Sequence, residues 1–131
     1  MNKWKIYTKP YSRGVMEMTL QALLRSFANY ASTQQHLEPL LPLEEKVICF
    51  RFKEESCALK MSRHEITLLE GVKGTDTITF WKEEDLHSLV SGLVRLQLLL
   101  RWKGTEYIGS YRTLLLAESL FHICKPLEKG A

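Results

Sequence analysis

The sequence predicts an α+β fold in which an antiparallel sheet carries helices on one face. Three observations predict it. Apolar residues recur at three- and four-residue spacing over residues 15–35. Successive short runs between residues 46 and 81 alternate apolar and polar, the period of half-buried strands. After Phe80 the period turns helical again, so strands are followed by helices with one helix in front.

At 131 residues the chain has the length of one domain with a real core. Its hydrophobic fraction of 45% and charged fraction of 25% are those of a soluble globular protein. A net charge of +3 is far below the basic footprint of a nucleic-acid binder, so no nucleic acid is expected. The three cysteines, Cys49, Cys57 and Cys124, are odd in number and flanked by apolar residues, which reads as buried small side chains in a reducing compartment. Residues 1–7 are basic but lack the apolar stretch of a signal peptide, and no run is long enough to span a bilayer. The expected location is the cytoplasm.

Residues 1–14 form an N-terminal arm in this reading. They mix Lys3, Lys5, Lys9 and Arg13 with Trp4, Tyr7 and Tyr11, and Pro10 argues against a helix. The arm is either a patch that touches a membrane surface or partner transiently, or a solvated segment whose aromatics pack on the domain; the second is preferred. The domain itself is expected over 15–125, with a tail at 126–131. Met16, Leu20, Leu23, Leu24, Phe27, Ala28 and Ala31 line one side of the first helix, and Pro39 and Pro42 bound the loop after it.

Next, Ile48, Phe50 and Phe52 alternate with Cys49, Arg51 and Lys53, and Leu59 and Met61 with Ala58, Lys60 and Ser62. Ile66, Leu68, Ile78 and Phe80 continue the pattern, so all nine apolar residues should share one face of an antiparallel meander. Glu83, Glu84 and Asp85 then open a helix, where carboxylates meet the positive end of the macrodipole, but Lys82 is no N-cap. Leu93 to Trp102 is almost wholly apolar, Glu106-Tyr107-Ile108 reads as a short strand between Gly104 and Gly109, and Leu114 to Ile123 closes as an apolar helix. Helices this apolar must be covered on every side or line something apolar.

Catalytic chemistry is largely missing. There is no phosphate-binding glycine loop. His36, His64, His87 and His122 lack partners at metal-ligand spacing, apart from the weak His122–Cys124 pair, so no metal or other cofactor is expected. Glu44-Glu45, Glu54-Glu55 and Glu83-Glu84 are adjacent carboxylates that point apart. Ser119 and His122 lie one helical turn apart, but Glu118 is poorly placed to orient the histidine. Trp102, between Arg101 and Lys103, is expected to face the interior or its mouth. The chain is not expected to be an enzyme.

From the first helix through Ile123 the order of elements resembles the sterol carrier protein 2-like family. The residues that carry the resemblance are Phe50-Arg51-Phe52, Asp76-Thr77-Ile78-Thr79-Phe80, the acidic opening of the Asp85-Leu86 helix, its end at Gly92, and Ile108-Gly109 before the last helix. The small polar cap usual before that acidic helix is replaced here by Trp81 and Lys82, and the glycine bracket from Gly104 to Gly109 is one residue tighter. The resemblance implies an antiparallel five-stranded sheet, helices on one face and an apolar tunnel between them. It also implies binding or transfer of a sterol, fatty acid, acyl-CoA or other lipid without catalysis.

On that reading the tunnel walls are Leu68, Phe80, Leu96, Leu99, Trp102, Leu116, Leu120 and Phe121, with Arg101 and Lys103 as the headgroup rim. Such a pocket needs few polar groups. The alternative is a protein-interaction module, in which the last two helices expose an apolar patch that forms a homodimer or docks on a partner.

Overall fold

The computed structural model describes residues 19–70 and 74–124. The arm at 1–14, the start of the helix predicted from residue 15, and the tail lie outside the described residues. Helix α1 (Leu20–Ala31) is followed by a 3-10 turn (Gln35–Leu40) and strands β1 (Lys46–Phe52), β2 (Glu55–Ser62), β3 (Glu65–Glu70) and β4 (Thr77–Phe80). Helices α2 (Glu83–Val90) and α3 (Leu96–Arg101), strand β5 (Thr105–Ile108) and helix α4 (Tyr111–Cys124) complete the order.

The five strands form one sheet in the order β3-β2-β1-β4-β5. It is mixed: β1 pairs with β4 in parallel and the other three pairs are antiparallel. This corrects the purely antiparallel sheet expected from the sequence, because alternation identifies a strand without giving its direction. The chain leaves β3 at Glu70, opposite Cys57, and re-enters the sheet at Thr77, opposite Cys49. Those two levels are nearly the same, since Cys57 faces Phe50 across the β1–β2 ladder. The chain therefore re-enters the sheet three strand spacings, about 14 Å, from where it left and runs on in the direction of β1. Gly74 lies close against β1, where an added Cβ would come 3.2 Å from the Cys49 Sγ. The Cys49 N–H donates to the Asp76 carbonyl at 2.8 Å and fixes the entry of β4.

The inner face is the one the alternation predicts. Ile48, Phe50, Phe52, Leu59, Met61, Ile66, Ile78 and Phe80 are all buried in one core, with Leu68 half-buried at its margin. The helices contribute Leu23, Phe27, Leu86, Leu89, Leu120 and Phe121 to that core, among others. At its centre the Phe121 ring lies 4.5 Å from Phe27 and meets Phe50 edge-on at 5.9 Å, a geometry that aromatic pairs favour. Helix α1, the sheet and α4 thus meet at three rings.

Side chains, adjacent and distant in sequence, complete several helix N-termini, whose first amides have no partner within the helix. Thr19 caps α1 through the Ala22 N–H at 3.0 Å, and the Glu55 carboxylate accepts from the Leu20 N–H at 2.7 Å. Asp76 accepts from the Ser110 N–H at 2.8 Å, and the Ser110 hydroxyl accepts from the Thr113 N–H at 3.2 Å, opening α4. Lys82 makes no side-chain capping bond to α2, as its sequence position predicts.

Candidate functional site

Helix α3 is six residues long and borders β5 and α4. Leu96 and Leu99 point into the core, whereas Arg95, Gln97, Leu98 and Arg101 are exposed. Its N-terminus has no cap of its own, and Glu118 of α4 supplies one. The Glu118 carboxylate accepts from the Gln97 N–H at 3.0 Å and from the Gln97 side-chain amide at 2.8 Å. A carboxylate at a helix N-terminus is favoured by both the open amides and the dipole. Glu118 itself is only 7% exposed, so this pairing is what satisfies it.

The residues singled out in the sequence fall into three sets. Phe80, Leu96, Leu99, Leu120 and Phe121 come together between the sheet and helices α3 and α4, and each leaves at most 2% of its surface open to water. No water-sized space adjoins side chains so covered, so this layer is packed solid. Leu68 and Leu116 are half-buried and rest against it. Trp102, Arg101 and Lys103 lie outside it, on the surface.

Trp102 is 63% exposed, so of the two places expected for it, the interior or its mouth, the interior is excluded. The helix explains why. Six residues past Leu96 it falls about 120° round the axis from the buried side. It also ends the helix, with its N–H on the Leu98 carbonyl at 3.0 Å, and Lys103 then turns the chain with φ +63°. Helix α3 is therefore covered on one side only, and its apolar residues Leu98 and Trp102 meet water.

The described residues border a shallow groove and a smaller hollow. The groove, of about 450 Å³, is lined by Trp81, Leu100, Lys103, Thr105 and Glu106. Trp81, 60% exposed, forms one wall, and its backbone N–H reaches the Gly104 carbonyl at 3.4 Å. At the same corner the Asp85 carboxylate lies so close that a Cβ on Gly104 would come within 2.3 Å of its Oδ2. Burial pushes the Asp85 carboxyl up, Lys82 pulls it down and Glu84 adds to the rise. The Thr105 hydroxyl is buried there without a hydrogen-bond partner. The second hollow, about 170 Å³, lies between the end of α1, the 3-10 turn and the β2–β3 turn, with the Glu38–His64 pair at 3.1 Å on its border.

Of the catalytic candidates, His122 buries its Nδ1 without a hydrogen bond, so no carboxylate orients the ring through that nitrogen, and Glu118 is turned to Gln97. Among the described residues no group of three or more His, Cys, Asp or Glu is arranged to hold a metal ion. All three cysteines are buried; burial, then Glu55 and Glu70, pushes the Cys57 thiol up to about 11. No described helix is long and apolar enough to cross a membrane. The role of Glu118 was missed in the sequence, where nothing local pairs it with a residue 21 positions earlier.

No family model and no curated protein matches this sequence. Solved structures do match its fold. A UbiJ-SCP2 ubiquinone synthesis protein superposes with a TM-score of 0.61 at 17% identity, over 83% of this chain and 97% of the other. The palmitated SCP2L2 protein of Aedes aegypti superposes at 0.56 with 15% identity, over 79% and 95% of the two chains. A crystal structure of sterol carrier protein 2 superposes at 0.59 with 10% identity, over 84% and 98%. Each superposition spans most of this chain and nearly the whole of the other, and the chain has the sterol carrier protein 2-like fold.

Proposed function

We propose that this protein binds or transfers an apolar ligand, such as a sterol, fatty acid or other lipid, without catalysing a reaction on it. The observation that carries this reading is the wholly apolar layer of Phe80, Leu96, Leu99, Leu120 and Phe121 inside a sterol carrier protein 2-like fold. One structure of that fold is described as palmitated, which makes an acyl chain the first ligand to try. In the closed form the layer fills the place a chain would take, so entry requires α3 or α4 to move outward. Helix α3 suits that movement: it is short, buried on one side and pinned at its start by Glu118. An acyl chain contributes about 0.8 kcal/mol per methylene buried, which offsets the cost of parting the layer. Leu68 and Leu116 then border the cavity, and Arg101, Trp102 and Lys103 stand at its outer end for a polar headgroup.

Palmitate titration followed by calorimetry tests this. Saturable binding that Leu99→Trp weakens, in a protein that still melts cooperatively, is the expected result. Absence of binding by palmitate, a sterol and acyl-CoA alike, with no lipid retained on gentle purification, would sink the reading.

The exposed apolar residues of α3 support the second reading, a dimer or partner module. A mass that rises with protein concentration in sedimentation is its signature.

A further inference from the structure

The stretch from Leu93 to Gly104 contains Arg95, Arg101 and Lys103 and no acidic residue. All three cations are exposed. So are the apolar side chains among them: Leu93 at 70%, Leu98 at 38% and Trp102 at 63%. Leu98 and Trp102 are four residues apart and joined by a backbone hydrogen bond, so they stand one above the other on the same side of α3. Helix α4, packed against α3, adds no free negative charge. Its single carboxylate, Glu118, is buried and bonded to Gln97. Two carboxylates do border the far end of the stretch, Asp85 against Gly104 and Glu106 in the Trp81 groove.

A projecting indole with an aliphatic neighbour, ringed by long cationic side chains, has a matching surface in the headgroup zone of an anionic bilayer. There an indole finds an apolar medium for its ring and a polar one for its N–H. Arginine and lysine keep their charged heads among phosphates while their stems lie along the acyl boundary. The mixture does not suit a second copy of this chain equally well, because the same stretch on both partners would bring like charges together.

We propose that α3 and its flanking turns, through Leu98, Trp102, Arg101 and Lys103, dock this protein on an anionic lipid surface. The docking does not depend on a bound ligand, and so stands or falls apart from the carrier reading. It places α3 at the membrane.

Flotation with phosphatidylcholine vesicles, with and without about one-third phosphatidylglycerol, tests it. The full chain is expected to float with the anionic vesicles only, and less as salt screens the attraction. Arg101→Gln and Lys103→Gln should each weaken the partition about fivefold, and Trp102→Ala at least as much. All three are surface changes, and unchanged thermal melting verifies the fold. No flotation at low salt overturns the proposal. So does flotation unchanged in the triple variant, which would put the contact elsewhere, such as the basic residues 1–14. A concentration-dependent dimer that Trp102→Ala dissolves, without vesicle binding, would overturn it in favour of a second copy. Palmitate binding is measured on the same variants, so that loss of one activity is not read as loss of the other.

Discussion

Gln97 gives both its backbone N–H and its side-chain amide to the Glu118 carboxylate, at 3.0 and 2.8 Å, so α4 holds the start of α3. Removing that acceptor breaks two part-buried hydrogen bonds to a carboxylate. Glu118→Ala should cost about 1–3 kcal/mol of stability. Glu118→Gln keeps one acceptor oxygen and should cost less. Urea denaturation of the two variants checks the order; equal stability of Glu118→Ala and wild type would refute it.

Gly109 carries a comparable demand at the start of α4. Its φ is +149°, and a Cβ there would lie 2.2 Å from the Asp76 Oδ1. Gly109→Ala should therefore destabilise by about 1–3 kcal/mol. In an Asp76→Ala background the contact with Oδ1 is gone and the penalty should shrink, although the contacts with the Tyr107 hydroxyl at 2.7 Å and the residue 76 Cα at 2.8 Å and the backbone strain stay. A double-mutant cycle measures the difference.

Alkaline pH should unfold the protein earlier than its exposed groups would. The Tyr107 hydroxyl, half-buried beside Asp76, is pushed up to about 12 by burial, by the charge of Asp76 and by its hydrogen bond, against one to Ser110 that lowers it. The unfolded chain loses that proton near pH 10. Between pH 10 and 12 the unfolded state binds fewer protons than the native one, so stability falls as pH rises. The contribution is complete below pH 10. The Cys57 thiol, at about 11 against an ordinary 9.0, acts in the same direction over pH 9 to 11. Cys57→Ala should flatten the lower part of that fall and Tyr107→Phe the upper, as read from melting temperature against pH.

Phe121 and Trp102 should separate cleanly in a stability measurement. Phe121→Ala opens a cavity between Phe27 and Phe50 and should cost about 3–5 kcal/mol. Trp102→Ala removes an exposed ring and should stay within about 0.5 kcal/mol. Similar losses in both would mean that Trp102 packs inside.

The inner face of the sheet was legible because alternation reports burial directly, and Ile48 through Phe80 obey it. The direction of β4 was not, since Ile78 and Phe80 would face the core whichever way the strand ran. Whether Trp102 faces the interior or its mouth was not legible for a related reason. An apolar run such as Leu93 to Trp102 has no polar side to set its phase, and only the packed helix shows that Leu96 and Leu99 turn inward while Leu98 and Trp102 do not. Of the candidate walls, Phe80, Leu96, Leu99, Leu120 and Phe121 are core residues, but composition does not distinguish a packed layer from an open one.

The three rings at the centre come from residues 27, 50 and 121 of the chain. During synthesis the first two emerge long before the third. At about 5–20 residues per second, the inner face of β1 waits several seconds for the ring that covers it. The nascent protein must pass that interval with Phe27 and Phe50 uncovered by α4, an opening for a chaperone or for aggregation. A stall in translation just before Phe121 would therefore leave more than an unfinished helix: it would leave a sheet without its lid.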